Sequence, residues 1–477
     1  MLKEVGSFLI IYQYAILTYF LILSGVYSGI LIYAFHYMRN SEKSRIDGIT
    51  LKKLMFNSNA RPVSVLIPAY NEEVNILQTV SSTINCEHPE FEVIVINDGS
   101  TDATLQTLQV ALELVMSSKP IQKVLQYEKI RDVYISRKYP NVIVVDKENG
   151  GKADALNAGM DVSTYPFVCA IDADSILEPD ALLRIGNQFL MDKELVASGG
   201  SVRVLNGCEV KDGRVVRIRA PHSIIECVQI AEYLRGFMAG RVTWQSMHSL
   251  LIISGAFGIF RKDLLQKIGG YRKTVGEDMD LVVRLHRYCI LNKIKYRVAF
   301  DPEPVCWTQV PSDFLSLLRQ RNRWQRGLVD SMWHSRGMFF NPRYGKIGFV
   351  AFPYFFFIET LGPLVEITGY FSLAIFWILG WVSIEFLILF FIFAVLWGAL
   401  LNISAVLLDN LISRRYEKSS DVAWVAAYSA LEFFGYRQIV DIERLFGTLF
   451  AWRTHWGHAK RKAMSKSDLT DEEKVTH

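Results

Sequence analysis

The sequence offers little that would indicate a metal centre or a disulfide-bonded fold. Its six cysteines are scattered and lack the spacing of metal ligands: Cys86, Cys169, Cys208, Cys227, Cys289 and Cys306. Because the surrounding segments are typical of a soluble region, we expect buried, reduced thiols in a cytosolic domain. The net charge of +4 is too small to indicate a charged partner, and no feature predicts binding of nucleic acid.

Apolar residues, in contrast, make up 51% of the 477 residues, which is typical of a membrane protein with a substantial soluble part. The stretch from Phe8 to Phe35 carries no charge and is long enough to span a hydrocarbon core of ~30 Å. A cleaved signal peptide would be shorter and would begin with a basic segment, so we expect a retained anchor. Six basic residues follow and place this end in the cytosol by the positive-inside rule: Arg39, Lys43, Arg45, Lys52, Lys53 and Arg61.

A second hydrophobic zone runs from Ile347 to Leu408, and Arg414 with Arg415 again marks a cytosolic end. Two crossings satisfy both ends, one ending near Trp381 and one from about Phe386 to Leu408. From Val422 to Trp452 the apolar pattern is interrupted by charges. We therefore expect an interfacial or re-entrant element there rather than a crossing.

The first of these two crossings is irregular, because Pro353, Gly362 and Pro363 interrupt it. Glu359 and Glu366 also lie inside it. Intramembrane carboxylates are costly unless they face a polar cavity, so they indicate a polar passage. A broken interfacial helix followed by a shorter span is the alternative.

Between about Arg61 and Pro311, short β-branched runs alternate with helical patterns. The predicted strands are Val63 to Ile67, Phe91 to Ile96, Val142 to Val145, Phe167 to Ile171 and Val196 to Val204. The alternation predicts an α/β domain with a mostly parallel sheet. Ligands of such sheets bind beyond the carboxyl ends of the strands, which is where the polar residues fall.

Loops rich in hydrogen-bonding groups follow the first three strands. They are Pro68 to Glu72, Asn97 to Asp102 and Asn149 to Asn157. Each of the first two is also compatible with an ordinary capped turn. In the third loop the glycines allow close backbone approach, and Lys152 at a helix start suits an anionic group.

Asp172 and Asp174 follow the fourth strand. Carboxylates at this spacing bind Mg²⁺ or Mn²⁺ that bridges a diphosphate, although an isolated motif of two such aspartates is a weak signal. Farther on, Glu277 and Asp278 begin a helix. They are either dipole partners in a first helical turn or, if Asp278 points into the cleft, a general base.

The segment from Leu317 to Trp333 predicts an amphipathic helix. Its apolar stripe comprises Phe314, Leu317, Leu318, Trp324, Leu328 and Met332, and its basic face comprises Arg319, Arg323 and Arg326. Gln320, Arg323 and Trp324 share a face and could close over a planar, anionic ligand such as a nucleotide diphosphate. A cationic helix lying on anionic lipid is the alternative.

Together these motifs resemble the family 2 processive membrane glycosyltransferases, which include cellulose, hyaluronan, chitin and poly-β-1,6-N-acetylglucosamine synthases. The resemblance rests on the order PAYNE (68–72), NDGSTD (97–102), GGKADALN (150–157), DAD (172–174), GED (276–278) and QRNRW (320–324). It implies a nucleotide-sugar-binding domain of GT-A-like fold, joined to transmembrane and interfacial helices. The segment His455 to His458 looks like the tryptophan-glycine gating segment of hyaluronan synthases.

The resemblance also implies roles for single residues. Asp278 and Glu277 would be catalytic, and Asp174 would ligate Mg²⁺ or Mn²⁺. The UDP-sugar would be bound by Ala69, Tyr70, Glu72, Asp98, Lys152, Asp172, Gln320, Arg323 and Trp324. The acceptor would lie near Ser254, Gly255, Ala256, Phe257 and Trp324, and gating would involve Trp456 and Gly457.

The implied function is an inverting, processive transfer from UDP-N-acetylglucosamine or UDP-glucose to a growing β-linked polysaccharide, translocated across the inner membrane. Accessory export subunits are further expected partners, besides the lipid bilayer. The chain lacks the FFCGS and FxVTxK motifs associated with cellulose synthases, and no carboxyl-terminal domain for a cyclic dinucleotide is recognisable. The alternatives are a non-processive enzyme acting on a lipid acceptor and a non-catalytic export scaffold.

The predicted organisation has seven parts. They are an anchor (1–36), a basic linker (37–60), the glycosyltransferase domain (61–311), amphipathic interfacial helices (312–345), transmembrane channel helices (346–410), interfacial or re-entrant helices (411–452), and a gating-like segment with a polar tail (453–477).

Overall fold

The computed structural model describes residues 2–43, 47–57, 60–118 and 120–452. The chain forms two compact units. Among the described residues, the sheet unit comprises residues 47–219 and 244–310, and the helical unit comprises residues 2–43, 220–243 and 311–452. The predicted glycosyltransferase domain of 61–311 included 220–243, whereas this segment packs within the helical unit.

In the described residues, the strands are β1 (Val63–Ala69), β2 (Phe91–Asp98), β3 (Leu114–Met116), β4 (Ile130–Ser136), β5 (Val142–Lys147), β6 (Phe167–Ile171), β7 (Ser175–Leu177), β8 (Leu195–Val204), β9 (Glu209–Lys211), β10 (Arg214–Arg217), β11 (Phe257–Arg261) and β12 (Arg297–Thr308). The α-helices of the sheet unit are α2 (Gly48–Asn57), α3 (Ile76–Ile84), α4 (Thr104–Leu112), α5 (Lys152–Val162), α6 (Ala181–Met191), α8 (Val242–Ser246, which begins in the helical unit), α9 (Lys262–Lys267) and α10 (Glu277–Leu291).

The α-helices of the helical unit are α1 (Leu2–Lys43), α7 (Ile224–Leu234), α11 (Phe314–His334), α12 (Phe352–Tyr354), α13 (Gly362–Ile378), α14 (Ile384–Phe391), α15 (Trp397–Ser413), α16 (Ser419–Ala430) and α17 (Tyr436–Leu449). Its π-helical segments are Arg235–Arg241, Ile347–Ala351, Phe355–Thr360 and Ile392–Leu396, and its 3₁₀ turns are Arg336–Met338, Pro342–Tyr344 and Leu431–Phe433.

The main sheet of the sheet unit has the strand order β3-β4-β5-β2-β1-β6-β11-β8-β12-β7. Its centre, β5-β2-β1-β6, is parallel, and β12 runs parallel to β8. The predicted α/β class and parallel sheet are confirmed. Strands β3, β4, β7 and β11 pair antiparallel to their neighbours, so the sheet as a whole is mixed.

The central strands form because their apolar runs are buried on both faces. In β2, the four residues from Val93 to Ile96 are fully buried, as expected for a parallel strand with helices on both sides. All five predicted strands are present. The sequence interpretation missed β12, whose run contains two prolines, Pro302 and Pro304, beside a shift in its register with β8.

The predicted basic linker contains a helix that belongs to the core of the sheet unit. Leu51 and Met55 of α2 are buried against Leu183 of α6. Lysines in this helix lie on its exposed side, as Lys52 and Lys53 do. The apolar residues between the basic ones therefore hold this segment to the sheet unit.

In the helical unit, three helices among the described residues are long and apolar enough to cross a membrane: Ile11–Asn40, Ile347–Ile378 and Ile384–Ser413. The first agrees with the expected anchor, and the other two agree with the two expected crossings. Phe20 of α1, Phe390 of α14 and Phe433 belong to one apolar cluster, in which aromatic edges meet ring faces.

The second candidate span is irregular where the sequence predicts it. Two π-helical segments flank Pro353, and Leu361 separates the second of them from α13, which begins with Gly362 and Pro363. A proline in a helix removes a backbone donor, and widened turns are a common result. Both carboxylates in this span have partners, because Glu359 pairs with Arg444 and Glu366 pairs with Arg437. Each carboxylate thus has an arginine partner, and the polar passage stays a prediction.

Candidate active site

Four parallel strands bring their carboxyl ends to one edge of the sheet. The register pairs Ala69 of β1 with Asn97 of β2, and Asp98 of β2 with Lys147 of β5. Strand β6 lies on the other side of β1 and ends at Ile171. The loops that the sequence analysis selected therefore begin side by side.

A buried lysine organises the first part of this edge. The side chain of Lys147 is fully buried, and its Nζ lies 2.6 Å from a carboxylate oxygen of Asp98 and 2.6 Å from one of Asp154. A buried cation between two carboxylates is held only where its partners are well placed. The sequence analysis missed Lys147. A charged residue at the end of an otherwise apolar strand was the signal that could have identified it.

The carboxylate of Asp98 also shapes the loop that follows β5. It accepts hydrogen bonds from the backbone N–H of Gly150 at 3.0 Å and of Gly151 at 2.7 Å. Gly151 has a φ of +93°, a conformation that favours glycine. Asp98 is only 2% exposed, so its contacts within the chain fix the start of α5 and the position of Lys152.

The first two loops are joined by hydrogen bonds. Asn71 accepts from the backbone N–H of Thr101 at 2.8 Å, and the N–H of Glu72 donates to the hydroxyl of Thr104 at 2.8 Å. Among the residues predicted to bind the nucleotide, Ala69 and Glu72 are buried and Tyr70 is half-buried. The two loops thus form one surface at the ends of β1 and β2.

The centre of the edge is a lysine with two carboxylates. Lys152 Nζ lies 2.6 Å from Asp172 and 3.2 Å from Glu277, so the ends of β5 and β6 meet the start of α10. Burial opposes the charge of Lys152, but the carboxylates of Asp172 and Glu277 outweigh it and raise the pKa of Lys152 above its ordinary value. Burial also raises the pKa of Glu277, while the Lys152 ammonium opposes this shift. The lysine therefore remains charged.

The segment before β11 faces this cluster. Lys152 Nζ lies 3.4 Å from the carbonyl oxygen of Gly255, and the N–H of Gly255 lies 3.4 Å from Asp278 Oδ2. Asp278 Oδ1 accepts from the N–H of Met279 at 2.8 Å. Asp278 thus borders the cluster that Lys152 centres, and its role as the general base stays a prediction.

The residues predicted to lie near the acceptor, Ser254 to Phe257, differ in burial. Ser254 and Gly255 are half-buried and lie beside the cluster, whereas Ala256 is 6% exposed and the side chain of Phe257 is fully buried within the sheet. The aromatic ring of Phe257 therefore packs in the core. An acceptor role for this run stays a prediction.

Asp172 and Asp174 lie on the turn between β6 and β7, and both are half-buried. Among the described residues there is no group of three or more histidine, cysteine or acidic side chains that could hold a metal ion. Mg²⁺ in nucleotide enzymes is commonly held by one or two carboxylates together with substrate phosphates. Two carboxylates on one turn suit a metal bound in this way, with phosphate oxygens completing its coordination.

The predicted amphipathic helix is present as α11, in the helical unit. Asp313 caps it by accepting from the N–H of Ser316 at 2.8 Å. Trp324 of the apolar stripe is 44% exposed, and Arg326 of the basic face is 9% exposed. The helix is therefore not divided into a buried apolar face and an exposed basic face, because neighbouring helices cover polar residues of α11. Gln320 and Arg323 are half-buried, and their closure over a ligand stays a prediction.

Trp456 and Gly457, the predicted gating pair, lie outside the described residues.

The fold and the edge of the sheet define an α/β nucleotide-sugar-binding domain of GT-A-like fold in a chain that also carries membrane-length helices. Residues 60–327 match the family described as Glycosyltransferase like family 2, and the chain belongs to that family. The resemblance inferred from the motifs is confirmed at this level.

Two relatives and one solved structure show how far the similarity extends. The chain is 29% identical over 267 residues to the poly-β-1,6-N-acetyl-D-glucosamine synthase of Staphylococcus epidermidis, which covers 56% of this chain and 54% of that protein. It is 30% identical over 302 residues to the probable glycosyltransferase YdaM of Bacillus subtilis, covering 63% and 62% of the two chains. The chain thus matches little more than half the length of these relatives. A mannosyltransferase of Pyrobaculum calidifontis shares the fold, with a TM-score of 0.51 at 18% identity over 91% of this chain and 99% of the other.

Proposed function

We propose that this protein is an inverting, processive polysaccharide synthase. It would add sugars from a UDP-sugar, either UDP-N-acetylglucosamine or UDP-glucose, to the end of a β-linked polymer at the cytosolic face of the inner membrane. The observation that carries the proposal is the meeting of Lys152 with Asp172 and Glu277 beside Asp278. This places a cation and four acidic groups, counting Asp174, near the carboxyl ends of the strands, where a nucleotide sugar binds in such folds.

In the proposed reaction, Asp278 removes the proton from the acceptor hydroxyl as that oxygen attacks the anomeric carbon. The new glycosidic bond forms as the bond to the UDP oxygen breaks, so an α-linked donor gives a β-linked product. Asp278 is suited to this role because its Oδ1 accepts a hydrogen bond from the Met279 N–H, which fixes the carboxylate at the start of α10.

The diphosphate would be bound by cationic side chains and by a metal ion. Lys152 would supply one positive charge, and Gln320, Arg323 and Trp324 are the other residues proposed to bind the UDP moiety. Asp174, with Asp172, would hold Mg²⁺ or Mn²⁺, which stabilises the negative charge of the departing UDP. The P. calidifontis structure is of a complex with GDP-mannose and Mn²⁺, which supports a metal of this class.

Similarity to the S. epidermidis synthase supports a polymeric product and favours N-acetylglucosamine as the sugar. Three membrane-length helices support a multi-pass enzyme that translocates the product through the bilayer. The lipid bilayer, the growing polymer and accessory export subunits are the proposed partners.

We expect purified protein to release UDP from UDP-N-acetylglucosamine or UDP-glucose and to form a polymer. UDP release would be measured with a panel of these donors and GDP-mannose, and the product would be sized by mass spectrometry and gel filtration. One sugar per lipid molecule would replace the proposal with a non-processive lipid glycosyltransferase. A protein that binds UDP but releases none from any donor would instead be a non-catalytic export component.

We also expect metal to bind together with the nucleotide. Calorimetry should show Mn²⁺ binding at least about tenfold tighter with UDP present than without it, because phosphate oxygens complete the coordination. Chelation should stop UDP release, and Mn²⁺ or Mg²⁺ should restore it. Asp174→Asn should remove the effect of UDP on Mn²⁺ binding, whereas Asp263→Asn, at an exposed carboxylate that pairs with Arg261, should retain it. Equal Mn²⁺ affinity with and without UDP would contradict this arrangement.

A further inference from the structure

Helix α17 has the reverse of the polarity expected for a helix on a soluble protein. Its apolar residues Ile439, Ile442 and Phe446 are between 39% and 48% exposed. Its charged residues at i, i+4 and i+7, which are Arg437, Asp441 and Arg444, point inward with side chains 15%, 2% and 22% exposed. A helix whose charges are internal is held by specific pairs, so the partners of these charges show what the helix positions.

Other polar residues of α17 contact α11, within the QRNRW segment and directly after it. Asn322 Nδ2 donates to Glu443 at 2.8 Å, and Gln325 Nε2 donates to the hydroxyl of Thr448 at 2.9 Å. Gly447 allows the close approach, because a Cβ at this position would lie 3.0 Å from the carbonyl oxygen of Asn322. Helix α17 therefore packs directly against the middle of the motif.

Arg321, the second residue of the motif, is held from another side. Its guanidinium pairs with Glu232 of α7, and the hydroxyl of Tyr436, the first residue of α17, donates to the same carboxylate at 3.3 Å. Arg321 also lies over the ring of Trp324, with 4.3 Å between its Cζ and the ring centroid. This cation–π contact fixes the position of the Trp324 indole ring.

Arg444 connects α11 to the irregular membrane-length helix. Its Nε donates to Gln325 Oε1 at 3.0 Å, and its Nη2 donates to the carbonyl oxygen of Glu359 at 2.9 Å. The Glu359 carboxylate lies 3.4 Å from the same nitrogen. Glu359 belongs to the π-helical segment Phe355–Thr360. The Arg444 guanidinium therefore joins Gln325, the residue after the QRNRW segment, to that widened turn.

We propose that α17, with Arg444 as its central contact, is a positioning element that fixes the QRNRW segment for binding the outer phosphate of a nucleoside diphosphate. The inference rests on the proposed function, because it assumes that Gln320, Arg323 and Trp324 meet a UDP moiety. The motif then divides into two sets. Arg321 and Asn322 anchor the helix, and Gln320, Arg323 and Trp324 are the residues proposed to act on the ligand.

Positioning of this kind has a large effect because binding groups lose most of their benefit when displaced by about 1 Å. An interaction with the outer phosphate would be lost selectively. The uridine and inner phosphate would still be bound by residues outside the QRNRW segment, in the loops after β1, β2 and β5.

The test compares the affinities of full-length, detergent-purified protein for UDP and UMP, measured by calorimetry. Arg444→Gln should weaken UDP binding about tenfold or more while UMP affinity changes less than about twofold. Arg444→Lys, which keeps the charge but loses the fork, should fall between this variant and the wild type. Arg343→Gln, at an exposed arginine of the same unit, is the matched control and should bind both nucleotides like the wild type.

Gly447→Ala provides a second, independent variant. Its Cβ should displace α17 from α11 without removing any charge, and the same selective loss of UDP affinity is expected. It replaces Arg444→Gln if that variant does not fold. Unchanged UDP affinity in the folded variants would overturn the inference, and so would an equal loss for UDP and UMP.

UDP binding by the wild-type protein distinguishes failure of the positioning role from failure of the proposed function. If it binds UDP and the variants behave like it, only the positioning role fails. If the wild type binds no UDP, the proposed function fails together with the inference.

Discussion

Asp278→Asn is expected to lower the turnover number by about 10²- to 10⁴-fold, the range typical for removal of a general base. Asparagine keeps an acceptor for the Met279 N–H but cannot take a proton from the sugar hydroxyl. UDP affinity should therefore change little. Steady-state UDP release, with UDP binding measured separately, would distinguish the loss of chemistry from a loss of binding.

The matched control is Asp263→Asn. Asp263 lies at the start of α9, its side chain is 47% exposed, and it pairs with Arg261 at the surface. Exposed pairs contribute little, so this variant should retain nearly full turnover. If Asp278→Asn transferred sugar at the rate of the control, another group would have to be the base.

Lys147→Met is expected to lower the free energy of unfolding by about 3–5 kcal/mol, since removing one partner of a buried ionic group leaves uncompensated charge. In this variant Asp98 and Asp154 lose the cation that lies 2.6 Å from each. The loop after β5 should lose its fixed conformation as well, and Lys152 with it. Thermal unfolding monitored by circular dichroism would measure the loss of stability.

Lys193→Met, at an exposed lysine of the same unit, controls for the loss of one positive charge and should unfold like the wild type. The two substitutions are chemically identical, so a difference in stability between the variants would come from the burial of Lys147. Equal midpoints for the two variants would show that Lys147 contributes no net stability.

The centre of the sheet unit was predictable because its signals are local. Uninterrupted β-branched runs such as Phe91 to Ile96 specify buried parallel strands, and polar residues that follow such runs must lie at the ligand-binding edge. For this reason Asp98, Lys152 and Asp172 could be selected without coordinates. Strand β12 was missed because its prolines interrupt the pattern, and its pairing with β8 depends on residues distant in sequence.

Helix α11 shows where sequence patterns are insufficient. Periodicity predicted the helix, with Trp324 in an apolar stripe and Arg326 on a basic face, but it did not predict that Trp324 is 44% exposed and Arg326 is 9% exposed. A helical pattern gives only the angular order of side chains. Which side is covered depends on the other helices, here α17 and α7, whose carboxylates compensate buried arginines and make a polar interior stable.

The sequence by itself determined the family, the central strands, the three membrane-length helices and the residues available for chemistry at the sheet edge. The tertiary structure decided which charged residues act as internal supports: Lys147 beneath the β5 loop, and Arg321 and Arg444 around the QRNRW segment. The physical reason is that hydrophobic periodicity is a property of neighbouring residues. The partner of a buried charge is brought close only when distant parts of the chain pack together.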